Sequence, residues 1–169
     1  MDPITVETTI ARPREEVFEY LADIANHPEF TDHYIVDWHL TRVESFGIGA
    51  GARFRIRAPL TRFGWADMTF SEVQAPYRIV ERGRGGKYNR IRMLGTYTLT
   101  PGAGDTTKVE YSIETLPVMP SDKLLEALNR GWSRRHVAKS MRRLRSILEE
   151  GRGRGRHASV AGVGAGPRG

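Results

Sequence analysis

The chain has 169 residues, with 26 Lys and Arg against 20 Asp and Glu, no cysteine and a formal net charge of +6. This length predicts one domain with a sizeable hydrophobic core. The absence of cysteine excludes disulfides, thiol nucleophiles and zinc–thiolate sites. The sequence holds no apolar run long enough to span a membrane, and its first ten residues do not resemble a signal peptide, so we expect a soluble, cytoplasmic protein.

Much of the positive charge lies at the C-terminal end. Residues 151–169 contain seven Gly and four Arg but no acidic residue, which leaves a net charge of about +2 for residues 1–150. The segment lacks the large apolar side chains that would compensate for the entropy cost of ordering it, so we predict a disordered Arg/Gly-rich tail. Arg-Gly repeats can also bind nucleic acid phosphates, but a solvated extension is the favoured interpretation.

The predicted elements change type in a definite order along the chain. Alternating polarity at 4–8 predicts a first strand, and the segment 13–24 has an apolar face typical of a helix, with Pro13 in its first turn. A short helix starts near Asn26. Six strands follow, and a helix of about thirty residues begins at Ser121, its predicted cap, and ends before Gly151. The six strands are predicted at 36–44, 52–58, 65–73, 77–83, 88–100 and 107–116.

This order predicts an α+β fold rather than parallel βαβ units, because the strands follow one another without helical crossovers. The expected architecture is a seven-stranded, curved antiparallel sheet wrapped around the long C-terminal helix, with two short helices between strands 1 and 2. One helix about 10 Å across cannot fill the hollow of such a sheet. We therefore expect a cavity between the helix and the sheet.

Four segments resemble the START-like (SRPBCC) superfamily, and in particular its polyketide cyclase/dehydrase-type members. They are IARPREEVFEYLADIANHPEF at 10–30, GIGAGARF at 47–54, APYRIVE at 75–81 and GTYTLTPGAGDTTKV at 95–109. The resemblance covers about residues 3–150 and implies a helix-grip fold whose hydrophobic cavity binds lipids, polyketides, hormones or other apolar molecules. The shared segments are structural, and they carry no catalytic residue over to this chain.

The twofold period of the strands predicts which side chains face the cavity. Arg53, Arg55 and Arg57 fall on the opposite face of their strand from Phe54 and Ile56, so we predict that these arginines face solvent. Gly95 interrupts an otherwise apolar face, which indicates a close backbone approach or a bend in the curved sheet. The predicted ligand-binding residues are Phe54, Ile56, Met68, Phe70, Tyr97, Tyr111, Leu128 and Trp132.

The long helix carries two apolar stripes about half a turn apart. Leu124, Leu125, Leu128, Trp132 and His136 form the first, which we expect to cover the cavity or face a partner. The second stripe is expected to pack on the sheet, and it consists of Val137, Met141, Leu144 and Leu148. One straight helix cannot bury both stripes against a flat surface, so we predict a bend or break near Gly131.

The other faces of this helix are strongly basic. Their cations are Arg130, Arg134, Arg135, Lys139, Arg142, Arg143 and Arg145. A solvated helix surface is the favoured interpretation. Binding to an anionic membrane or to nucleic acid is the alternative.

Few residues suggest chemistry. His27, His33 and His39 recur every six residues near several acids, but this spacing spans a helix, a loop and a strand, so we predict no metal site and no cofactor. Asp32 and His33 are candidates for the border of the cavity mouth. His136 is the best single candidate for acid–base catalysis, because an imidazole beside an apolar cavity can exchange a proton near neutral pH.

Three functions fit the sequence. The favoured one is binding of a small hydrophobic ligand such as a lipid or polyketide in the cavity. The second is a cyclase/dehydratase-type lyase acting on an aromatic or poly-keto substrate, which requires at least two polar groups converging in the cavity, and the sequence does not identify them. The third is a basic interaction module for membrane or nucleic acid.

Overall fold

The computed structural model describes residues 2–151 and 158–160. Strand β1 is followed by helices α1 and α2, with a short 3₁₀ helix between them, then by strands β2 to β7 and helix α3. The bounds are β1 Ile4–Ile10, α1 Arg14–Ala22, the 3₁₀ helix Ile24–Asn26, α2 His27–Thr31, β2 Ile35–Leu40, β3 Gly51–Ile56, β4 Trp65–Gln74, β5 Arg78–Gly85, β6 Ile91–Pro101, β7 Thr107–Leu116 and α3 Pro120–Glu150.

Within the described residues, the seven strands form one antiparallel sheet in the order β1-β7-β6-β5-β4-β3-β2. The first strand therefore pairs with the last, and β1 and β2 lie at opposite edges. The long helix α3 packs against β1 and α2. The predicted α+β helix-grip fold, with two short helices between the first two strands, is confirmed.

Alternation along the strands separates the core from solvent. In β6, Met93, Gly95, Tyr97 and Leu99 are buried in turn, while the residues between them are more exposed. Arg53 and Arg55 lie on the outer face, as predicted, and each forms an ion pair, with Asp67 and Asp37 respectively. The twofold period thus controls both faces of the sheet.

The start of α3 differs from the prediction. The helix begins one residue earlier than expected, with Pro120 in its first turn, and Met119 rather than Ser121 occupies the cap position. The Asp122 carboxylate accepts the Met119 N–H and also binds Arg90 through two hydrogen bonds of 2.8 and 2.6 Å. A carboxylate in the first turn is favoured by the helix dipole. This ion pair joins the start of α3 to the β5–β6 connection.

Of the bend or break predicted near Gly131, the break is wrong, because α3 is one continuous helix from Pro120 to Glu150. The bend stays a prediction. A side chain at position 131 would meet open space, so this glycine serves no close packing. The second stripe packs on the core through Val137, Met141 and Leu144, joined by Ile147. The two stripes coexist on one helix because the second packs on the core, while the first is divided between solvent and a cavity.

Part of the predicted disordered tail contacts the domain. Ala158 is buried, its N–H donates to the Ala25 carbonyl, and the Leu40 N–H donates to the Ser159 carbonyl. Val160 forms a parallel bridge with Leu40 at the β2 edge. These three residues therefore differ from the prediction of disorder. Residues 152–157 and 161–169 lie outside the described part of the chain.

Candidate functional site

A cavity of about 480 Å³ lies between the sheet and α3. Its wall is mainly apolar, because inward-facing strand residues meet the first stripe of α3 and side chains of α2. All three tryptophans of the chain, Trp38, Trp65 and Trp132, line it. A mainly apolar concavity of this size is typical of a small-molecule site.

The structure places six of the eight predicted ligand-binding residues on the cavity wall, namely Phe54, Ile56, Met68, Tyr97, Tyr111 and Trp132. The other two lie elsewhere. Phe70 faces inward but is completely buried in the core and is not part of the wall, and Leu128 is 63% exposed on α3. Leu125, which belongs to the same stripe of α3 as Leu128, lies on the wall instead. Helix rotation, which the apolar pattern alone does not define to within one residue, explains this difference.

The cavity reaches the surface where two connections and the start of α3 converge. Its mouth is bordered by residues 58–64 between β3 and β4, by residues 86–90 between β5 and β6, and by the first two turns of α3. Leu60 and Phe63 are exposed at this mouth, and the Asn129 side chain on α3 donates to the Pro59 carbonyl. This hydrogen bond ties α3 to the β3–β4 connection and so holds the mouth together.

The cavity also contains a buried polar cluster, which consists of Glu81 on β5, His27 on α2 and Tyr111 on β7. The Tyr111 hydroxyl donates to Glu81 Oε2 at 3.1 Å, and His27 Nδ1 lies 3.4 Å from Glu81 Oε1. All three residues line the cavity. Glu81 is only 4% exposed and His27 only 3%.

The hydrogen bonds of His27 define its tautomer. Nε2 lies 2.8 Å from the Leu21 carbonyl, which can only accept, so Nε2 carries the proton. In the neutral ring, Nδ1 is then an acceptor facing Glu81. Burial lowers the pKa of His27 to about 4 and raises the pKa of Glu81 to about 7. A neutral imidazole and a carboxyl group that takes up or releases a proton near neutral pH are therefore the states that this site favours.

Gly95 makes room for this cluster. A Cβ atom at this position would lie 2.6 Å from Glu81 Oε2 and 2.9 Å from the Tyr111 hydroxyl. Gly95 is paired with Glu81 across β5 and β6, and Tyr97 stacks on Tyr111 with ring centroids 4.3 Å apart. The groups that approach Gly95 are polar side chains, not the backbone segment that the sequence predicts as one possibility.

The sequence analysis missed Glu81. The signal was present, because Glu81 is in phase with the buried Ile79 on the same strand. Acids on strands usually face solvent, and nothing local distinguishes Glu81 from Glu72 or Glu110. The spacing of His27, His33 and His39 does not point to the true neighbours of His27, which come from β5 and β6, far away in the sequence.

The other histidines do not join this cluster. His136 is not part of the cavity wall; its Nδ1 donates to the Trp132 carbonyl, and its ring stacks on His33. Neither Asp32 nor His33 lines the cavity either, because Arg143 binds both of them and ties α2 to α3. His39 lies on β2 beside Trp65. In the described residues, no group of three or more His, Asp or Glu side chains is arranged to hold a metal ion.

Several cations of α3 have partners within the domain. Arg143 binds Asp32 at 2.6 Å, Arg145 pairs with Glu149, and Arg130 donates to the carbonyls of Asp2 and Pro3. The exposed cations of this helix are Lys123, Arg134, Arg135, Lys139, Arg142 and Arg145. The basic character of α3 is thus partly explained by contacts that fix the helix to its neighbours. In the described part of the chain, no helix is long and apolar enough to cross a membrane.

The fold and the cavity define a helix-grip domain, and sequence comparison agrees. The model of the family described as polyketide cyclase / dehydrase and lipid transport matches residues 1–149. The chain belongs to this family, within the START-like SRPBCC superfamily. Among curated proteins, none matches the sequence of this chain.

Solved structures show the same fold at low sequence identity. The KanY protein is 15% identical, with a TM-score of 0.71, and the match covers 86% of this chain and 96% of KanY. TTHA0849 from Thermus thermophilus is 17% identical with a TM-score of 0.65, over 86% of this chain and 96% of that chain. Truncated norcoclaurine synthase from Thalictrum flavum is 14% identical with a TM-score of 0.64, over 89% and 97% of the two chains.

Proposed function

We propose that this protein binds a small hydrophobic ligand, such as a lipid or a polyketide, in the cavity between the sheet and α3. The observation that carries the proposal is the cavity of about 480 Å³, whose wall is mainly apolar and which opens at one end. Burying an apolar ligand there gains about 25 cal/mol for each Å² removed from water. The family description, which includes lipid transport, supports the same class of ligand.

Titration with ethylnaphthalene, a rigid apolar probe, tests this proposal. Because all three tryptophans line the cavity, a bound probe should change their fluorescence, and amide spectra should shift around Trp38, Phe54 and Trp132. Ile113→Phe enlarges a side chain on the cavity wall and should weaken binding. Leu128→Phe adds the same ring at an exposed position of α3 and should bind as the wild type does. Equal binding by both variants would place the probe outside the cavity and contradict the proposal.

A cyclase/dehydratase-type enzyme is the second candidate. It requires at least two polar groups that converge in the cavity, and the cluster of Glu81, His27 and Tyr111 favours it for this reason. His136, the predicted acid–base candidate, is not on the cavity wall and lends it no support. Turnover of a poly-keto substrate, followed by mass spectrometry, separates this enzyme from a carrier.

A further inference from the structure

Glu81 is a carboxyl group that the packing of the domain does not explain. It lies at the wall of an apolar cavity, almost fully buried, and it faces the neutral His27 ring rather than an Arg or Lys side chain. Burying a carboxyl group in such a place costs free energy unless the group is neutral or fully hydrogen-bonded. A purely structural position would tolerate an apolar residue better.

Glu29 gives a useful contrast within the same molecule. It is also buried, at 7% exposure, and it also accepts a hydrogen bond from a tyrosine, with Tyr20 Oη 2.7 Å from its Oε2. Glu29 does not line the cavity, and its main-chain carbonyl is bound by Arg143. Of these two buried tyrosine-bonded carboxyls, only Glu81 is in a position to touch a ligand.

A ligand oxygen would meet hydrogen-bonding groups in this cavity. Protonated Glu81 lies on the cavity wall and has one O–H, which can be donated to His27 Nδ1 or to a ligand, whereas the Tyr111 hydroxyl already donates its proton to Glu81 Oε2. Trp38 also lines the cavity, and its buried Nε1–H has no acceptor among the described residues. Buried donors are normally satisfied, so this indole favours a ligand that brings an acceptor. A carbonyl oxygen on an apolar skeleton fits both the apolar wall and these donors.

We propose that Glu81 is a catalytic residue that moves a proton on a carbonyl-bearing apolar ligand, and that Tyr111 and His27 are positioning residues. This inference rests on the proposed binding function. Ionised Glu81 takes a proton from the carbon next to the carbonyl; the C–H electron pair becomes the C=C bond of an enolate, and the carbonyl π pair moves onto oxygen. Glu81 then returns the proton to carbon or oxygen, so the step needs no oxidant, reductant or co-reactant.

The surroundings of Glu81 suit this role. The titratable groups around it are His27 on α2, Tyr34 before β2, Tyr97 on β6 and Tyr111 on β7. The three tyrosines are neutral at ordinary pH, because burial raises their pKa values further. A general base is most effective when its pKa lies near the working pH, and burial brings the pKa of Glu81 to about 7.

Deuterium uptake by acetylnaphthalene tests the proposal. In this aryl methyl ketone a carbonyl group replaces the CH₂ group of ethylnaphthalene, so the two probes have nearly the same shape. Its methyl protons exchange slowly in heavy water. The wild-type protein should accelerate the exchange, which NMR follows directly. Glu81→Gln should reduce the accelerated rate by about 100-fold while retaining binding of the probe. Glu29→Gln, the matched change at the buried carboxyl away from the cavity, should leave the rate unchanged.

The pH profile provides a second, independent readout. The wild-type exchange rate should rise with pH through about 7, as Glu81 ionises. The hydrogen bond from Tyr111 lowers the pKa of Glu81, so Tyr111→Phe should shift the midpoint of the profile to higher pH. A residue that only packs against the cavity would not move this midpoint. This test remains available if Glu81→Gln does not fold.

The outcomes separate the two proposals. Binding of both naphthalenes without accelerated exchange, or exchange that Glu81→Gln leaves intact, would overturn the catalytic role and leave the binding function in place. An unchanged pH midpoint in Tyr111→Phe would also overturn it. Binding of neither probe would overturn the proposed function itself, and the catalytic role with it.

Discussion

The two halves of α3 belong to one continuous helix but have different neighbours. In the C-terminal half, Val137, Met141 and Leu144 are at most 3% exposed against the core. In the N-terminal half, Leu124 and Leu128 are each 63% exposed, while Leu125 and Trp132 border the cavity. The packed half supplies stability, and the open half leaves space for a ligand.

This contrast teaches how a small domain can combine a stable core with an internal cavity. Unfilled space beside apolar side chains costs stability, because lost contacts are not replaced. Here the cost is confined to one end of the sheet, where Asn129 and the Arg90–Asp122 pair hold the helix at the mouth by polar contacts instead. The following substitutions test whether the packed core supplies the stability and the cavity end of the domain does not.

The largest expected effect lies in the packed half. Leu144→Ala removes a completely buried side chain from the core. We expect a loss of about 3 to 4 kcal/mol in the free energy of unfolding, because the cavity left behind cannot collapse fully. Urea denaturation measures it. A loss below about 1 kcal/mol would show that the packed half of α3 does not supply the stability assigned to it.

Glu81 and His27 on the cavity wall should make opposite contributions to the pH dependence of the free energy of unfolding. The pKa of Glu81 is raised from 4.5 to about 7, so its contribution to stability is lost as pH rises through that window. Glu81→Gln removes this term, so its stability relative to wild type should increase from pH 4.5 to about 7, by up to about 3 kcal/mol.

For His27 the sign is reversed. Its pKa is lowered from 6.5 to about 4, so its contribution is present above 6.5 and is lost as pH falls through about 4. His27→Gln, which retains an amide donor for the Leu21 carbonyl, should gain stability relative to wild type over that range as pH falls. Chemical denaturation at several pH values checks both variants. If the stability of both variants relative to wild type changed in the same direction with pH, the raised pKa of Glu81 and the lowered pKa of His27 would be contradicted.

A smaller effect is expected where the sheet makes room for the polar cluster. Gly95→Ala places a methyl group within 3 Å of both Glu81 Oε2 and the Tyr111 hydroxyl. We expect a loss of about 2 kcal/mol and separation of the Glu81–Tyr111 hydrogen bond, because the methyl forces one of these groups to move. Urea denaturation and the Tyr111 ring resonances report the two effects. An unchanged Tyr111 environment would count against the close approach.

The smallest effect belongs to the open half. Leu128→Ala makes the same chemical change as Leu144→Ala, on the same helix, at an exposed position. We expect a change within about 0.5 kcal/mol under identical denaturation conditions. If the two alanine variants lost similar stability, the contrast between the halves of α3 would not hold.

The sequence determined the α+β class, the order of the elements, and part of the cavity wall. Periodicity is a local property, so Phe54, Met68 and Tyr97 could be placed on inward faces without knowing their neighbours. The predicted strand at 107–116 coincides with β7, whereas the first predicted long strand, 36–44, ends at Leu40 in the structure. The two stripes on the last helix were also visible, whereas the predicted break between them was wrong.

Tertiary structure alone decided which polar groups meet. The polar cluster and the glycine beside it come from a short helix and three strands, namely His27, Glu81, Gly95 and Tyr111. Their contact follows from strand pairing and from the packing of α2. The same is true of Leu128 and Leu125, whose exposure depends on the rotation of α3. A carboxyl group differs from its neighbours only when burial removes its water, and burial is a property of the assembled fold.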